Sequence, residues 1–155
     1  MDTDSDSGMT VLAADACWAL LRSTDVGRLA VCVAGEPDVF PVNYVVDQGT
    51  IVFRTAAGTK LASAVISDVV AFEADGRDAS GGEAWSVVVK GRAEQITRMQ
   101  EMIDTTGLPL FPLHAGAKPR FVRVVPDDVS GRRFSIAEHT RWDTPLTGAP
   151  HTSPD

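Results

Sequence analysis

Residues 84–96, AWSVVVKGRAEQI, decide the fold class. Trp85, Val87 and Val89 fall on one face of an extended chain, and Ser86, Val88, Lys90 and Arg92 on the other. That period of two predicts a long strand with one face on a core. Working outward, DVVAFEA (68–74) predicts a strand before it, with DGRDASGGE as a Gly-rich connecting loop. RFVRVV and RRFSIA predict two final strands joined by PDDVSG. Upstream, GRLAVCVAG (from Gly27), DVFPVNYVVD and TIVFRT predict three more, with turns at Gly35–Pro37 and Asp47–Gly49. Pro41 lies inside the second of these runs. It cannot donate to a ladder, so a bulge or an unpaired position is expected there.

Three short helices complete the expectation. TVLAADACWALLR (10–22) sets Leu12, Ala16, Ala19 and Leu20 at helical spacing. A second helix follows Thr59, with Leu61, Ala64 and Val65 as its apolar residues, and a third covers about 97–105. Six or seven strands with so few helices do not form a βαβ series. A mainly β fold, an antiparallel barrel with short peripheral helices, fits the pattern better.

The chain has 155 residues, enough for one domain. Its 14 Lys and Arg against 21 Asp and Glu give a net charge of −7, which argues against nucleic acid and anionic lipid as partners. Five of those acids lie in residues 1–8 and 142–155, which hold no Lys or Arg. The expected organisation is therefore a mobile acidic tail (1–8), a nearly neutral domain (9–141) and a second mobile tail (142–155). MDTDSDSG lacks the features of a secretory signal, and no apolar run reaches the roughly 20 residues that span a bilayer. Cys17 and Cys32 stand in apolar settings and are expected as buried, reduced thiols, which with the rest points to the cytoplasm. His114, His139 and His151 are far apart, so no metal site is expected.

One window has the composition of a binding site. Between Gln48 and Ser67 there is no acid, yet Arg54, Thr55, Gly58, Thr59 and Lys60 gather where a strand passes to a helix. Free N–H groups at a helix start, a guanidinium, an ammonium and two hydroxyls make up the donor set of a phosphate-monoester site. The same residues also describe an ordinary capped helix with a basic surface turn.

Several stretches, taken in order, carry a family resemblance: GRLAV (27–31), PVNY (41–44), IVFRTAAGTKL (51–61), VAFEAD (70–75), WSVVVKGRAE (85–94) and RFVRVVPDDVSGRRF (120–134). Together they resemble the flavin-binding pyridoxamine 5′-phosphate oxidase-like family, in particular its small actinobacterial and nitroimidazole-resistance-type members. The resemblance implies a split β-barrel that forms a homodimer with FMN in grooves at the interface. By position it implies that Arg54, Thr55, Thr59 and Lys60 hold the FMN phosphate. Pro41, Val42 and Asn43 would line the ribityl chain and ring. Trp85 and Ser86 would reach the isoalloxazine or the other subunit's cofactor, although Trp85 reads equally well as a core or interface residue.

The activity implied is an FMN-dependent oxidoreductase passing hydride or electrons between a reduced donor and a small electron-poor molecule. A deazaflavin F420-dependent reductase and a non-catalytic flavin-binding or storage protein are the alternatives. The true oxidases end in an Arg-x-His element, where this chain has His139-Thr140-Arg141 in reverse order. Oxidation of pyridoxamine phosphate is accordingly not carried over, and no catalytic side chain is assigned.

Overall fold

The computed structural model describes residues 3–4, 8–56, 69–96 and 119–136. Its elements are β1 (Thr3–Asp4), β2 (Met9–Leu12), α1 (Ala14–Arg22), β3 (Val26–Val33), β4 (Glu36–Asp47), β5 (Thr50–Ala56), β6 (Val69–Arg77), β7 (Glu83–Gln95) and β8 (Pro119–Ser135). All pairings are antiparallel, in the order β1-β2-β8-β5-β4-β3-β6-β7, and β7 also pairs with β8. That last contact closes β3 to β8 into a six-stranded split barrel, the mainly β fold expected, with β1 and β2 added along the free part of β8. Closure removes the edges that an open sheet would expose.

Alternation along each strand fills the barrel. Leu29 and Val31 of β3, Val42 and Tyr44 of β4, Ile51 and Phe53 of β5, Phe72 of β6, and Val87 and Val89 of β7 are all buried in one cluster. Their neighbours in sequence point outward. Tyr44 and Phe72 meet edge-on, with ring centroids 4.6 Å apart. Gly27 is required beside them, because a Cβ there would lie 2.3 Å from the Phe72 ring.

The most consequential difference from the sequence reading is at the C-terminal end. RFVRVV and RRFSIA are not two strands joined by a turn but parts of the single 17-residue β8. Pro126, Asp127 and Asp128 are turn-forming residues, yet here they form a bulge. Gly91 pairs with Pro126 and Lys90 with Asp128, so Asp127 is the extra residue. The bulge changes which parity faces inward, from Val122 and Val124 before it to Val129 and Gly131 after it. The strand can therefore stay amphipathic along its whole length and pair with β7 throughout.

Three local expectations are also corrected. Residues 10–12 belong to β2, where Thr10 and Val11 pair with Arg133 and Arg132, so the helix begins only at Ala14. It buries Cys17 and Leu21 rather than Ala16 and Ala19, since the larger side chains gain more by leaving water. Cys17 is buried as expected, but Cys32 is exposed, because Leu29 and Val31 take the inward positions of β3 and leave Cys32 on the outer face. Pro41 causes no bulge. It pairs in register with Arg28, and the β4–β5 ladder starts only at Tyr44, so β4 has a single ladder partner at that point.

The expected helices after Thr59 and at about 97–105 lie outside the described residues, as do the three histidines and the tail 142–155. Within the N-terminal segment 1–8, Thr3 and Asp4 pair with Thr10 and Met9.

Candidate functional site

β4 and β5 leave their turn as paired strands and then part. Their last rung is Tyr44–Phe53. Beyond it β4 continues with β3 alone as far as Glu36, while β5 continues with β8 alone as far as Ala56. The first residues past the rung are Asn43 on one side and Arg54 on the other. Where the strands part, β4 and β5 no longer pair with each other, and groups along the parting face the space a ligand could enter.

The structure places the predicted residues on two sides of the barrel wall. Val42, Thr55 and Trp85 point inward and are buried. Asn43, Arg54 and Ser86 point outward and are half-buried, and Pro41 is exposed on the same outer face. Ser86 pairs with Asp75, and Asn43 with Val26. β7, β6, β3 and β4 are consecutive, so Ser86 and Asn43 lie three strand spacings apart, about 14 Å along the sheet. Arg54 comes next, across the opening. Asn43, Arg54 and Ser86 thus share one belt around the outside of the barrel. Thr59 and Lys60 lie outside the described residues.

Arg28 lies beside this belt. Its Nε donates to Glu73 Oε2 at 2.8 Å, and its Nη2 donates to Asp75 Oδ2 at 2.7 Å. Partial burial pushes the Glu73 carboxyl above its ordinary value, Arg28 pulls it back, and the nearby Asp75 charge adds to the rise. The result is a fixed charge network at the edge of an outer face that otherwise carries Val26, Ala30 and Pro41. At the Ser86 end, Asp75, Arg77, Ala84, Ser86 and Phe134 surround a shallow pocket of about 220 Å³, with Gly76 and Trp85 also lining it. Gly76 makes room for the tryptophan, because a Cβ there would lie 2.9 Å from the indole Nε1.

At the other end of the belt the Arg54 guanidinium lies over the Phe121 ring, 5.9 Å from its centroid. Phe121 belongs to a small buried cluster on the outer face with Val52 and Ile96. The sequence reading did not single out Phe121, Arg28 or Asp75. Only strand pairing brings them to the belt, because they are 45 or more residues away from the residues they touch. Among the described residues no three His, Cys, Asp or Glu gather as a metal would need, and no helix is long and apolar enough to cross a membrane.

A closed six-stranded antiparallel barrel that parts between two strands defines a split barrel, with a cation and an amide at the parting as a candidate binding site. The family model for pyridoxamine 5′-phosphate oxidase matches residues 13–133, and the chain belongs to that family. An uncharacterised protein of Mycobacterium tuberculosis is 35% identical over 131 residues, covering 81% of this chain and 86% of its own length. Among solved structures, the FAD binding protein from Mycobacterium smegmatis has a TM-score of 0.73 and 39% identity, covering 82% of this chain and 99% of its own. A FAD-binding protein from Mesorhizobium loti has a TM-score of 0.65 and 25% identity, covering 81% and 97%.

Proposed function

We propose that this protein binds a phosphorylated flavin along the outer belt and acts as a flavin-dependent oxidoreductase. The observation that carries the reading is the meeting of Asn43 and Arg54 at the parting of β4 and β5, with Ser86 on the same belt. The residues suit the group. The Arg54 fork matches a phosphate, the Asn43 amide matches a polar ring edge or the ribityl chain, and Val26 with Pro41 gives an apolar floor. A bound flavin would supply the hydride or electron transfer, from a reduced donor to a small electron-poor acceptor. The protein's part is to orient the ring and keep water from it.

FMN is the cofactor that the family resemblance implies. FAD is a second reading, favoured by the two similar structures that are FAD-binding proteins. The test is to purify the protein, record its visible spectrum and identify any released cofactor by mass. FMN or FAD supports the reading, and exclusive affinity for F420 moves it to a deazaflavin reductase. No binding of any of these after reconstitution overturns it. A bound flavin that no reductant bleaches indicates storage instead.

The working unit proposed is a homodimer. On the outer face Val39 and Ala71 flank Ala30 directly, and Val39 and Val69 remain 58% and 59% exposed. Such a row of apolar side chains beside the belt favours burial against a second copy. Sedimentation of the wild type as a dimer and of Val39→Asp as a monomer is the expected result, and a monomeric wild type overturns the proposal.

A further inference from the structure

The half-buried arginines of this barrel are held by different kinds of partner. Arg28 donates to Glu73 and Asp75 at 2.8 and 2.7 Å, and Arg123 donates to Asp47 and Thr50 at 3.0 and 2.6 Å. Those two guanidiniums are committed inside the chain. Arg54 is held by a ring instead. Its guanidinium lies over Phe121, 5.9 Å from the centroid, and no described carboxylate is within ion-pair distance of it. An aromatic face attracts a cation through its quadrupole and offers no acceptor atom. The N–H fork of Arg54 is therefore left for an acceptor from outside the chain. Neither β5 nor the facing residues 119–126 of β8 contain an acid to compete for it.

The ring is itself fixed. Phe121 pairs with Arg54 in the β5–β8 ladder, and its carbonyl accepts the Ile96 N–H at 2.9 Å. The residue is packed with Val52 and Ile96 and is only 6% exposed. β8 flanks β5 on the side away from β4. The guanidinium over Phe121 is thus turned to the β8 side of its own strand and does not reach across the opening toward Asn43. A free arginine side chain samples many rotamers, and ordering it on binding is costly. One already held over a ring has lost that freedom beforehand.

We propose that Phe121 is a positioning residue for the flavin's phosphate: its ring pre-sets the Arg54 guanidinium without consuming its hydrogen-bond donors. This rests on the flavin reading above, with the phosphate at Arg54. The ring acts through Arg54 alone.

The probes are FMN, FAD and riboflavin, the last without a phosphate, with binding measured by titration calorimetry. The proteins are the wild type, Phe121→Leu, Phe121→Met, Phe121→Tyr, Arg54→Ala, and Phe121→Leu combined with Arg54→Ala. Phe121→Leu keeps an apolar side chain but removes the ring. It is expected to weaken FMN or FAD by about 3- to 10-fold, the range for immobilising one long side chain, and riboflavin by less than about twofold. Phe121→Met has the same expected effect and serves if the leucine variant does not fold. Phe121→Tyr keeps the ring face and is expected to bind FMN within about twofold of the wild type. With Arg54 already replaced, Phe121→Leu is expected to change FMN binding by less than about twofold, because the ring has no cation left to hold. A packing role would weaken FMN and riboflavin together and would persist without Arg54. Either result overturns this proposal alone, as does a folded Phe121→Leu that binds FMN like the wild type while Arg54→Ala is impaired. A wild type that does not prefer phosphorylated flavin to riboflavin overturns both this and the placing of the phosphate at Arg54.

Discussion

The Tyr44 hydroxyl donates a 2.6 Å hydrogen bond to the carbonyl of Leu21, tying the last turn of α1 to the strand that carries Asn43. Tyr44 is also one half of the last β4–β5 rung, so the same residue anchors the helix and marks where the barrel opens. Burial, helped by the Asp25 charge, pushes the phenol well above its ordinary value, and it remains a donor through the working pH range. Tyr44→Phe leaves the Leu21 carbonyl without that donor and is expected to cost about 1–2 kcal/mol. A denaturant midpoint unchanged at constant slope would remove the hydrogen bond from the stability argument.

Glycines at two positions should respond very differently to alanine. At Gly91, opposite the β8 bulge, a Cβ would lie 2.0 Å from the Val125 carbonyl oxygen, a backbone atom that cannot move without breaking the ladder. Gly91→Ala is expected to cost about 3 kcal/mol. Gly35 has nothing within 4 Å, but its φ of +80° disfavours a side chain, and Gly35→Ala should cost about 1 kcal/mol. Thermal melts of the two variants side by side check the order, and equal losses would contradict the bulge geometry.

The Glu73 carboxyl gives a pH dependence of definite sign. Its folded-state value is raised above 4.5, mainly by burial. The folded protein therefore holds that proton more tightly than the unfolded chain does. The resulting stability is fully present below the ordinary value and is lost as pH rises through the folded one. Glu73→Gln should lack this component of the stability–pH curve. Arg28→Ala removes the main opposing influence, so it should move the Glu73 titration midpoint further up, as read from its side-chain carboxyl resonance. A downward move would refute the assignment.

Arg54→Ala is expected to weaken FMN binding by about 1.5–3 kcal/mol and to affect riboflavin much less. Titration calorimetry with both ligands measures the difference. Equal losses for the two would indicate misfolding or another binding mode.

How much was legible depended on whether neighbours in sequence or neighbours in space carried the information. β5 and β7 could be read directly, since Ile51 and Phe53, or Trp85, Val87 and Val89, alternate with outward residues without interruption. β8 could not, because Pro126 and the two aspartates after it have the composition of a turn. Only the long β7 alongside them makes a bulge the better solution. Cys32 looked buried between two valines, yet it alternates with them and so falls on the outer face of β3. The basic window was visible around Arg54, but the Phe121 ring beneath its guanidinium was not, being 67 positions away along the chain.

The net charge follows from composition, and the alternation of apolar residues and the acid-free window are local properties that the amino-acid order alone determined. They established a mainly β domain and pointed to Arg54. The tertiary structure decided the rest: a closed ring of six strands, a single bulged β8, the parting of β4 from β5 after Tyr44, and the belt that brings Asn43, Arg54 and Ser86 to one surface. The physical reason is that an extended strand reports only its own two faces. Which strand lies beside it, and where that pairing stops, follows from the burial of all the inward faces together.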